Sequence, residues 1–455
     1  MTTADDAGVR DLAARFPRGF RWGVATAAYQ IEGSAEADGK GPSIWDAFAH
    51  ASGRVRVDET GDVACDHYRR YREDIALMAG LGVTDYRFSI SWPRVLPEGV
   101  GPVNEAGLDF YDALVDELLE QGIRPLATLY HWDLPLALHR RGGWDSDEAP
   151  GWFAALAGTV AHRLGDRVSD WITINEPAVA AYVGYGEGRH APGCRDWSRA
   201  LRAGHRMLLA HGTGRDALVT ASSRPARVGI ALSLVACAPA GEHDDAAADR
   251  LDGHENRWFL DPLFGRGYPS DMLAWWGEKF PEHMTAEMAA RRPALDFLGI
   301  NYYTRHTVRA GGPPPLELTR VDGGARTAMN WEVYPEGLTE VLLRITRDFA
   351  PAPLIVTENG AAYDDAPDAC GEIRDEDRRR FLELHIAAAA DALDAGAQLE
   401  GYFAWSLLDN FEWAEGYRRR FGLVRVDYAT QERTVKRSGR WYGDLIRAAR
   451  AQTLA

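Results

Sequence analysis

Short apolar segments that are typical of strands alternate with amphipathic helical segments along almost the whole chain. Residues 83–90 are rich in β-branched and aromatic side chains, which favours a strand. The next segment has apolar residues at helical spacing between Asn104, a suitable N-cap, and Gly122, a suitable end. Regular alternation of this kind indicates a parallel sheet in which each strand is followed by a covering helix.

Eight strand candidates can be read from this alternation: residues 20–24, 83–90, 124–130, 171–174, 228–232, 297–300, 354–357 and 401–405. Eight such units predict an α/β fold that closes into a single-domain (β/α)8 TIM barrel, with loop insertions around its carboxyl-terminal face. The alternative is an open, doubly wound sheet, but no Gly-x-Gly-x-x-Gly fingerprint follows an early strand.

The length of 455 residues would suggest about three domains at roughly 150 residues each. A (β/α)8 barrel with insertions can exceed about 400 residues as one unit, however, and the sequence shows no linker and no internal repeat. We therefore expect an N-terminal tail over residues 1–15, one catalytic domain over residues 16–447 and a C-terminal tail over residues 448–455. Surface loops are predicted for residues 241–249, 311–315 and 364–371.

Charge and cysteine content argue against several classes of protein. The chain has 51 Lys and Arg against 67 Asp and Glu, a net charge of −16, which disfavours nucleic acid or an anionic membrane as a partner. Residues 1–18 are polar, and no apolar run approaches the roughly 18–20 residues of a membrane span. The cysteines form no Cys-x-x-Cys pair, which argues against a zinc or redox site and fits a reducing, cytoplasmic location. They are Cys65, Cys194, Cys237 and Cys370.

Two of the strand candidates lead into a glutamate. Glu176 follows residues 171–174 and precedes Pro177, and Glu358 follows residues 354–357 and precedes an Asn-Gly pair. Retaining glycoside hydrolysis needs two carboxyl groups, one that protonates the leaving oxygen and one that attacks the sugar carbon. Other α/β proteins also have glutamates near strand ends, but two of them, each beside an asparagine, favour a glycosidase.

Other polar and aromatic residues also fall at or just after the ends of predicted strands, where the chemistry of a (β/α)8 barrel is located, and Arg87 falls within one of these strands. Such a set suits a neutral polyol, because amides and imidazoles bind hydroxyl groups and ring faces pack against the C–H surface of a sugar. These residues are Gln30, Arg87, His131, Trp132, Asn301, Tyr303, Trp405, Glu412 and Trp413.

Many of these residues lie in segments that resemble glycoside hydrolase family 1, the β-glucosidase family. The resemblance extends over residues 16–442, and its segments are residues 20–33, 87–94, 130–133, 301–303, 409–413 and 420–423. It implies a retaining β-glycosidase that hydrolyses terminal non-reducing β-D-glucosyl residues of a small-molecule β-glycoside. It also implies Glu358 as nucleophile and Glu176 as acid/base, with Arg87 and Tyr303 as partners of the nucleophile.

The same resemblance assigns the sugar pocket. It implies that Asn175 donates to the sugar 2-hydroxyl and that Trp405 lies beneath the ring. Trp132 is either a wall of this pocket or a support for it, Asn301 is expected to position its neighbours, and Trp331 is a wall on the leaving-group side. The residues that read the 3-, 4- and 6-hydroxyls are Gln30, His131, Glu412 and Trp413.

The proton chemistry follows from the pair of carboxyl groups. A charged Glu358 is expected to raise the pKa of Glu176 and keep it protonated as the acid. Once Glu358 is bonded to the sugar, that charge is gone, and Glu176 ionises and activates water. This mechanism needs no metal and no cofactor. Three histidines in helical stretches are expected to be structural: His67, His205 and His211.

Individual positions narrow the substrate. The phospho-glycosidases of the family replace the acid at Glu412, and a carboxylate there would repel phosphate, so unphosphorylated sugars are expected. Glu176, rather than a glutamine, argues against the myrosinase-like branch. Ala178 stands where many bacterial relatives have tryptophan, which implies a wider leaving-group side that tolerates bulky groups. Cellobiose, as in cellulose degradation, or a plant-derived glucoside would be suitable substrates.

Three alternatives stay open. The sequence does not distinguish a β-glucosidase from a β-galactosidase or β-fucosidase of the same family. A non-catalytic sugar-binding relative would differ in failing to turn over a chromogenic glucoside. A different barrel enzyme, such as an aldolase or a metal hydrolase, would need a Schiff-base lysine or a metal cluster at the strand ends, and no lysine falls there. Oligomeric state and transglycosylation are not predicted.

Overall fold

The computed structural model describes residues 3–291, 293–349 and 353–451. The strands in these residues are β1 (Arg21–Ala25), β2 (Asp85–Ser89), β3 (Arg124–Tyr130), β4 (Asp170–Asn175), β5 (Arg227–Ser233), β6 (Ala236–Pro239), β7 (Phe297–Asn301), β8 (Arg305–Ala310), β9 (Leu318–Val321), β10 (Leu354–Asn359), β11 (Leu399–Trp405), β12 (Val424–Val426) and β13 (Arg433–Val435).

The helices are α1 (Thr3–Ala13), α2 (Ala28–Ile31), α3 (Ile44–Ala49), α4 (His67–Leu81), α5 (Trp92–Val95), α6 (Glu105–Glu120), α7 (Leu136–Arg140), α8 (Ala149–Leu164), α9 (Pro177–Val179), α10 (Trp197–Ala221), α11 (Asp245–Asp252), α12 (Trp258–Leu263), α13 (Ser270–Trp276), α14 (Glu282–Ala290), α15 (Glu336–Phe349), α16 (Glu376–Asp394) and α17 (Arg437–Ala451). Two π-helical turns are Ala180–Glu187 and Gly253–Arg257. Short 3-10 turns are Ala37–Gly39, Arg56–Asp58, Gly143–Asp145, Gly277–Lys279 and Trp413–Arg418.

Eight parallel strands close into a barrel in the order β1, β11, β10, β7, β5, β4, β3, β2 and back to β1. This confirms the predicted (β/α)8 barrel and its eight strands. Every residue of β2, β4, β7 and β10 is buried, because helices cover the outside of the barrel and packed side chains fill the inside.

The helix predicted after β2 is α6. Its buried face agrees with the sequence pattern, but the contacts of its N-cap residue do not follow from that pattern. Its buried residues follow helical spacing and include Leu108, Tyr111, Leu114, Val115 and Leu118. Asn104 occupies the N-cap position of α6, as predicted, but its side chain accepts no bond from the first turn. Its amide nitrogen donates to the backbone oxygens of Asp38 at 2.7 Å and Arg94 at 2.9 Å, so it connects α6 with the turn Ala37–Gly39 and with α5.

Ion pairs hold the amino-terminal ends of the barrel strands together. Arg21, the first residue of β1, donates to Asp85 at 2.8 Å and to Asp170 at 2.6 Å, the first residues of β2 and β4. Asp85 also accepts from Arg124 at 2.8 Å. These charged pairs lie at the amino-terminal end of the barrel. The loops that carry the candidate site lie at the carboxyl-terminal ends of the strands.

The insertions lie after the barrel strands. Strands β6, β8 and β9 form one small sheet, and β12 and β13 form another. The surface loop predicted for residues 241–249 is wrong in its second half, because helix α11 begins at Asp245. Three apolar residues of α11 are buried against Val308 of β8, which gives this segment a packed face that its sequence did not reveal. They are Ala247, Ala248 and Leu251.

Helices occupy both ends of the described chain. Helix α1 lies within the segment expected to be a tail and packs on α17, with Val9 and Ala13 buried. Arg15 donates to Asp391 and Asp394 of α16. Helix α17 continues past residue 447 to Ala451. The domain limits at residues 15 and 447 stay a prediction. Among the described residues, none of the helices combines the length and apolar character that crossing a bilayer requires.

Candidate active site

Glu176 and Glu358 both lie at the carboxyl-terminal end of the barrel and are buried, with 6% and 3% of each residue exposed. Glu176 follows β4 directly, and its backbone N–H donates to Ala231 of β5 at 2.8 Å. Its φ of +47° is in the left-handed region, a conformation that costs a non-glycine residue about 1–3 kcal/mol and is concentrated at functional sites. Pro177 then begins the short helix α9.

Glu358 accepts hydrogen bonds from a cation and from a phenol. Arg87 donates to it at 2.5 Å, and the hydroxyl of Tyr303 donates at 2.6 Å. Arg87 is 1% exposed and also donates to Asn175 at 2.7 Å and to Thr128 at 3.2 Å. These bonds fix the position of the guanidinium. Arg87 therefore has a structural role and also places a positive charge beside the carboxyl group of Glu358.

Asn301 connects the two glutamates. It is the register partner of Glu358 on the neighbouring strand, and its amide donates to Glu176 at 2.9 Å and to Asn175 at 3.0 Å. Its carbonyl oxygen accepts from Thr357 at 2.7 Å. All of these contacts are made to protein groups, so the geometry favours the predicted positioning role for Asn301 rather than contact with a ligand.

The donors make the two carboxyl groups electrostatically different. Burial raises the pKa of Glu358, and the charge of Arg87 and the hydrogen bond from Tyr303 act against this rise. Burial and then the charge of Glu358 raise the pKa of Glu176 to about 8. The largest contribution that opposes this rise is the hydrogen bond from the neutral amide of Asn301. Since a cation stabilises a carboxylate more than an amide does, Glu358 is the better held anion of the pair.

Gln30 and His131 each carry one buried polar atom without a partner among the described residues. The amide nitrogen of Gln30 donates to Asn410 at 3.0 Å and to the backbone oxygen of Phe411 at 2.9 Å, while its Oε1 has no partner among the described residues. His131 Nε2 accepts from Asn175 at 3.0 Å, so its Nδ1, also without a described partner, carries the proton. Burial and Arg87 hold the pKa of His131 well below its usual value, so the ring is neutral.

A wall of indole rings surrounds these groups. The ring of Trp413 stacks parallel to Tyr29 at 6.1 Å and lies 4.6 Å from Trp132. The ring of Trp405 stacks with that of His131 at 5.8 Å. Trp132 also donates to the backbone oxygen of Asn175 at 3.0 Å and lines the cleft, so it is both a wall and a support.

Glu412 is a third carboxyl group of this site. Its Oε2 lies 3.4 Å from the amide nitrogen of Gln30. Burial, followed by the charges of Glu358 and Glu176, raises the pKa of Glu412 to about 8. The three acids of the pocket disfavour negative charge on one another, and a phosphate would add further negative charge, which opposes its binding.

Glu176 lines a cleft with a volume of about 410 Å³. Ala178 and Trp331 also line it, together with Trp132 and Glu412, and the assignment of Trp331 to the leaving-group side stays a prediction. Trp331 packs against Tyr303 at 5.2 Å and against Phe421 at 6.0 Å. Sequence reasoning did not single out Phe421, although it lies in the quoted segment 420–423.

Sequence reasoning also missed Asn410, Tyr182, His254 and Glu255. Asn410 lies in the segment 409–413, so proximity to Glu412 could have indicated it. The other three belong to helical segments between strands, where nothing local distinguishes them from packed residues. They line the cleft only because two helical turns meet there.

The histidines expected to be structural are buried and paired with protein groups. His67 lies 2.7 Å from Asp74, His205 lies 2.9 Å from the hydroxyl of Tyr268, and His211 lies 2.7 Å from Thr173. Within the described ranges, no group of three or more His, Cys, Asp or Glu side chains has the arrangement of a metal site.

Several named proteins are similar in sequence to this chain over almost its whole length. Beta-glucosidase A of Thermotoga maritima is 47% identical over 437 residues, which cover 95% of this chain and 98% of the relative. The bifunctional beta-D-glucosidase/beta-D-fucosidase of Bifidobacterium breve is 41% identical over 459 residues, with 95% and 98% covered.

A solved structure and a family model agree with these relatives. The β-glucosidase from Thermotoga maritima in complex with castanospermine superimposes with a TM-score of 0.93 at 46% identity, and the match covers 95% of this chain and 98% of that one. The model of Glycosyl hydrolase family 1 matches residues 12–451. The chain belongs to glycosyl hydrolase family 1.

Proposed function

We propose that this protein is a retaining β-glucosidase that removes terminal non-reducing β-D-glucosyl residues, with Glu358 as nucleophile and Glu176 as acid/base. The observation that carries the assignment is the difference in donors. Glu358 accepts from Arg87 at 2.5 Å and from Tyr303 at 2.6 Å, whereas Glu176 accepts from the neutral amide of Asn301. A nucleophile has to be ionised and an acid has to be protonated, and the donors favour these two states.

In the first step, Glu358 attacks the anomeric carbon while Glu176 gives its proton to the glycosidic oxygen. The carbon–oxygen bond to the leaving group breaks, and a glycosyl ester forms on Glu358. The ester is neutral, so the charge that helped to raise the pKa of Glu176 is lost. In the second step, Glu176 therefore takes a proton from water, and the water oxygen attacks the anomeric carbon. The bond between this carbon and Glu358 breaks, which releases the sugar and restores the carboxylate of Glu358.

The glucosyl unit is proposed to lie between Trp405, Trp413 and the unpaired polar atoms. Gln30 Oε1 is an acceptor for one hydroxyl, and His131 Nδ1–H is a donor to another. Asn175 is proposed to face the 2-hydroxyl, where hydrogen bonds strengthen in the transition state. Because a buried polar atom without a partner costs about 1–3 kcal/mol, a polyol that meets these atoms is favoured over an apolar ligand.

The specific sugar is a further part of the proposal. We propose glucosides as the main substrates and β-fucosides as a second class, since a relative 41% identical is named for both activities. Phosphorylated glucosides should be excluded because Glu412 lies in a pocket with two other acids. On the leaving-group side, Ala178 and Trp331 line an open cleft, which supports tolerance of bulky groups.

Two remaining expectations concern organisation and location. We propose that residues 16–447 contain the catalytic unit, because all eight barrel strands and both glutamates lie within them. All four cysteines are free thiols, which suits a reducing compartment, and we propose the cytoplasm.

A rate panel tests the function. We expect the protein to hydrolyse p-nitrophenyl β-glucoside and β-fucoside faster than p-nitrophenyl β-galactoside and 6-phospho-β-glucoside. Glu358→Gln should lower kcat for the glucoside on the order of 10⁴-fold or more, because the covalent step is lost. Proton NMR should detect β-glucose as the first product, as retention of configuration requires.

Three results would contradict the proposal. A Glu358→Gln protein that keeps more than about a tenth of the wild-type rate would exclude Glu358 as nucleophile. Release of α-glucose would exclude retention. Binding of glucosides without turnover of any of them would instead identify a sugar-binding relative.

A further inference from the structure

Part of the wall of the cleft, called the side branch here, is formed by Ala178, Tyr182, Val183, Val235, His254 and Glu255. Because these residues line the same cleft as Glu176, a group leaving from the glycosidic oxygen can reach them. Ala178 contributes only a methyl group to its wall, and a larger side chain at this position would occupy part of the space.

Two π-helical turns build the far wall of the side branch. Tyr182 lies in the turn Ala180–Glu187, and His254 lies in the turn Gly253–Arg257. Their rings stack with centroids 4.0 Å apart and planes at 13°. Trp197 and Trp276 pack against the same imidazole at 5.7 Å. The imidazole of His254 therefore has a fixed plane, set by three aromatic neighbours.

The polar atoms of this wall have unmet hydrogen-bonding capacity. His254 is 4% exposed, and its Nδ1 has no partner among the described residues. Burial and then the charge of Arg320 lower the pKa of His254 to about 3, so its ring is neutral and can pair with a hydroxyl group. Glu255 Oε1 lies 3.8 Å from Arg320, beyond hydrogen-bond distance, and the Glu255 side chain is 25% exposed.

We propose that His254 and Glu255 determine leaving-group specificity by binding hydroxyl groups, so that this chain favours a sugar over an apolar aryl group as the leaving group. This inference rests on the proposed glucosidase function. An apolar ring in the branch would leave the buried Nδ1 of His254 unpaired, whereas a sugar hydroxyl satisfies it. Val183 and Val235 supply the apolar surface against which the C–H face of a sugar packs.

The test compares two substrates that share the glucosyl unit. The measured quantity is kcat/KM for cellobiose divided by kcat/KM for p-nitrophenyl β-glucoside. His254→Phe keeps a ring against Tyr182 and removes Nδ1, and we expect it to lower this ratio about tenfold. Glu255→Gln should lower the ratio in the same direction by a smaller factor, because a neutral amide is a weaker acceptor than a carboxylate.

Two further variants serve as controls. His254→Asn keeps a polar atom near the position of Nδ1 and should recover part of the ratio that His254→Phe loses. His243→Gln replaces an exposed histidine on the loop before α11 and should leave both rates unchanged. Thermal unfolding of each variant reports whether the fold is retained.

Binding to an inactive protein gives a second readout. In the Glu358→Gln background, calorimetry should show a preference for cellobiose over methyl β-glucoside, and adding His254→Phe should reduce that preference. The inference is overturned if the ratio stays within about twofold of wild type in both His254→Phe and Glu255→Gln. It is also overturned if the wild type hydrolyses the aryl glucoside but not cellobiose. Failure to hydrolyse any glucoside would refute the proposed function instead, and calorimetry would still report on His254.

Discussion

Glu176 and Glu358 are the same residue type at the ends of two barrel strands, and their surroundings separate their proposed roles. Arg87 is buried beside Glu358 and donates to it, while Glu176 has the amide of Asn301. Burial raises the pKa of both carboxyl groups. The charge of Arg87 is the largest cause that opposes the rise at Glu358, whereas at Glu176 it comes after the neutral amide of Asn301. The environment therefore assigns the proton to Glu176 in the free protein.

This difference predicts the alkaline limb of the pH profile. The acid must hold its proton, and the pKa of Glu176 is raised to about 8, so kcat/KM for p-nitrophenyl β-glucoside should be retained below this pH and fall as the pH rises through it. In Glu176→Gln, the limb should vanish for 2,4-dinitrophenyl β-glucoside, whose leaving group needs no proton. Rates measured across about pH 5 to 10 give the answer.

Glu412 provides the control for this profile, because its pKa is also raised to about 8. Glu412→Gln should weaken substrate binding and keep the alkaline limb. If the limb vanishes in Glu412→Gln and persists in Glu176→Gln, then Glu176 is not the acid.

At the scale of elements, the loop after β11 delivers Glu412 and Trp413 to the pocket and also orients Gln30. Asn410 accepts from the amide nitrogen of Gln30 at 3.0 Å and donates to Ser406 at 2.9 Å. Because the nitrogen of Gln30 is engaged in this way, its Oε1 faces the pocket as an acceptor. One asparagine thus links the loop after β1 with the loop after β11.

We therefore predict that Asn410→Ala raises KM for p-nitrophenyl β-glucoside by roughly threefold to tenfold, the effect of one hydrogen bond. The effect on kcat should be smaller, since Asn410 touches neither glutamate. A double-mutant cycle with Gln30→Ala provides the check. If Asn410 acts through Gln30, the double variant should be no worse than Gln30→Ala alone, and full additivity of the two effects would reject this positioning role.

At the scale of the whole molecule, the two ends of the barrel have different tasks. The amino-terminal end holds the pairs of Arg21 with Asp85 and Asp170, and the carboxyl-terminal end holds the candidate site. Arg21 is 5% exposed and Asp85 is fully buried. Removing the arginine would take the buried cation away from both carboxylates and leave Asp85 with the exposed Arg124 and Asp170 with Arg227 at 3.8 Å, a loss that costs about 3–5 kcal/mol.

Arg21→Met should therefore lower the free energy of unfolding by about 3–5 kcal/mol while kcat for the glucoside stays unchanged at temperatures where the protein is folded. Urea unfolding followed by tryptophan fluorescence measures the change. Arg124→Met is the matched control, because Arg124 pairs with the same Asp85 but its side chain is 56% exposed. We expect it to cost less than about 1 kcal/mol. An equal loss of unfolding free energy in both variants would show that the burial of Arg21 does not make its ion pairs more stabilising than the exposed pair of Arg124.

The barrel, its eight strands and the positions of the two glutamates could be predicted from local sequence patterns. Strand periodicity and the residues that stop a strand are local, so Glu176 and Glu358 could be located at strand ends without tertiary information. The same reasoning gave the pocket residues through family resemblance, and their roles remain predictions that the proposed experiments test.

Which side chains contact one another could not be predicted in the same way. Tyr182 and His254 are 72 residues apart and stack because two wide helical turns converge beside Ala178. The sequence predicted that Asn104 caps a helix, but its amide nitrogen donates to the backbone oxygens of Asp38 and Arg94. Helix α11 forms because Leu251 and its neighbours can be buried against β8. In each case the deciding contact joins segments distant in sequence, and local propensity carries no information about such a partner.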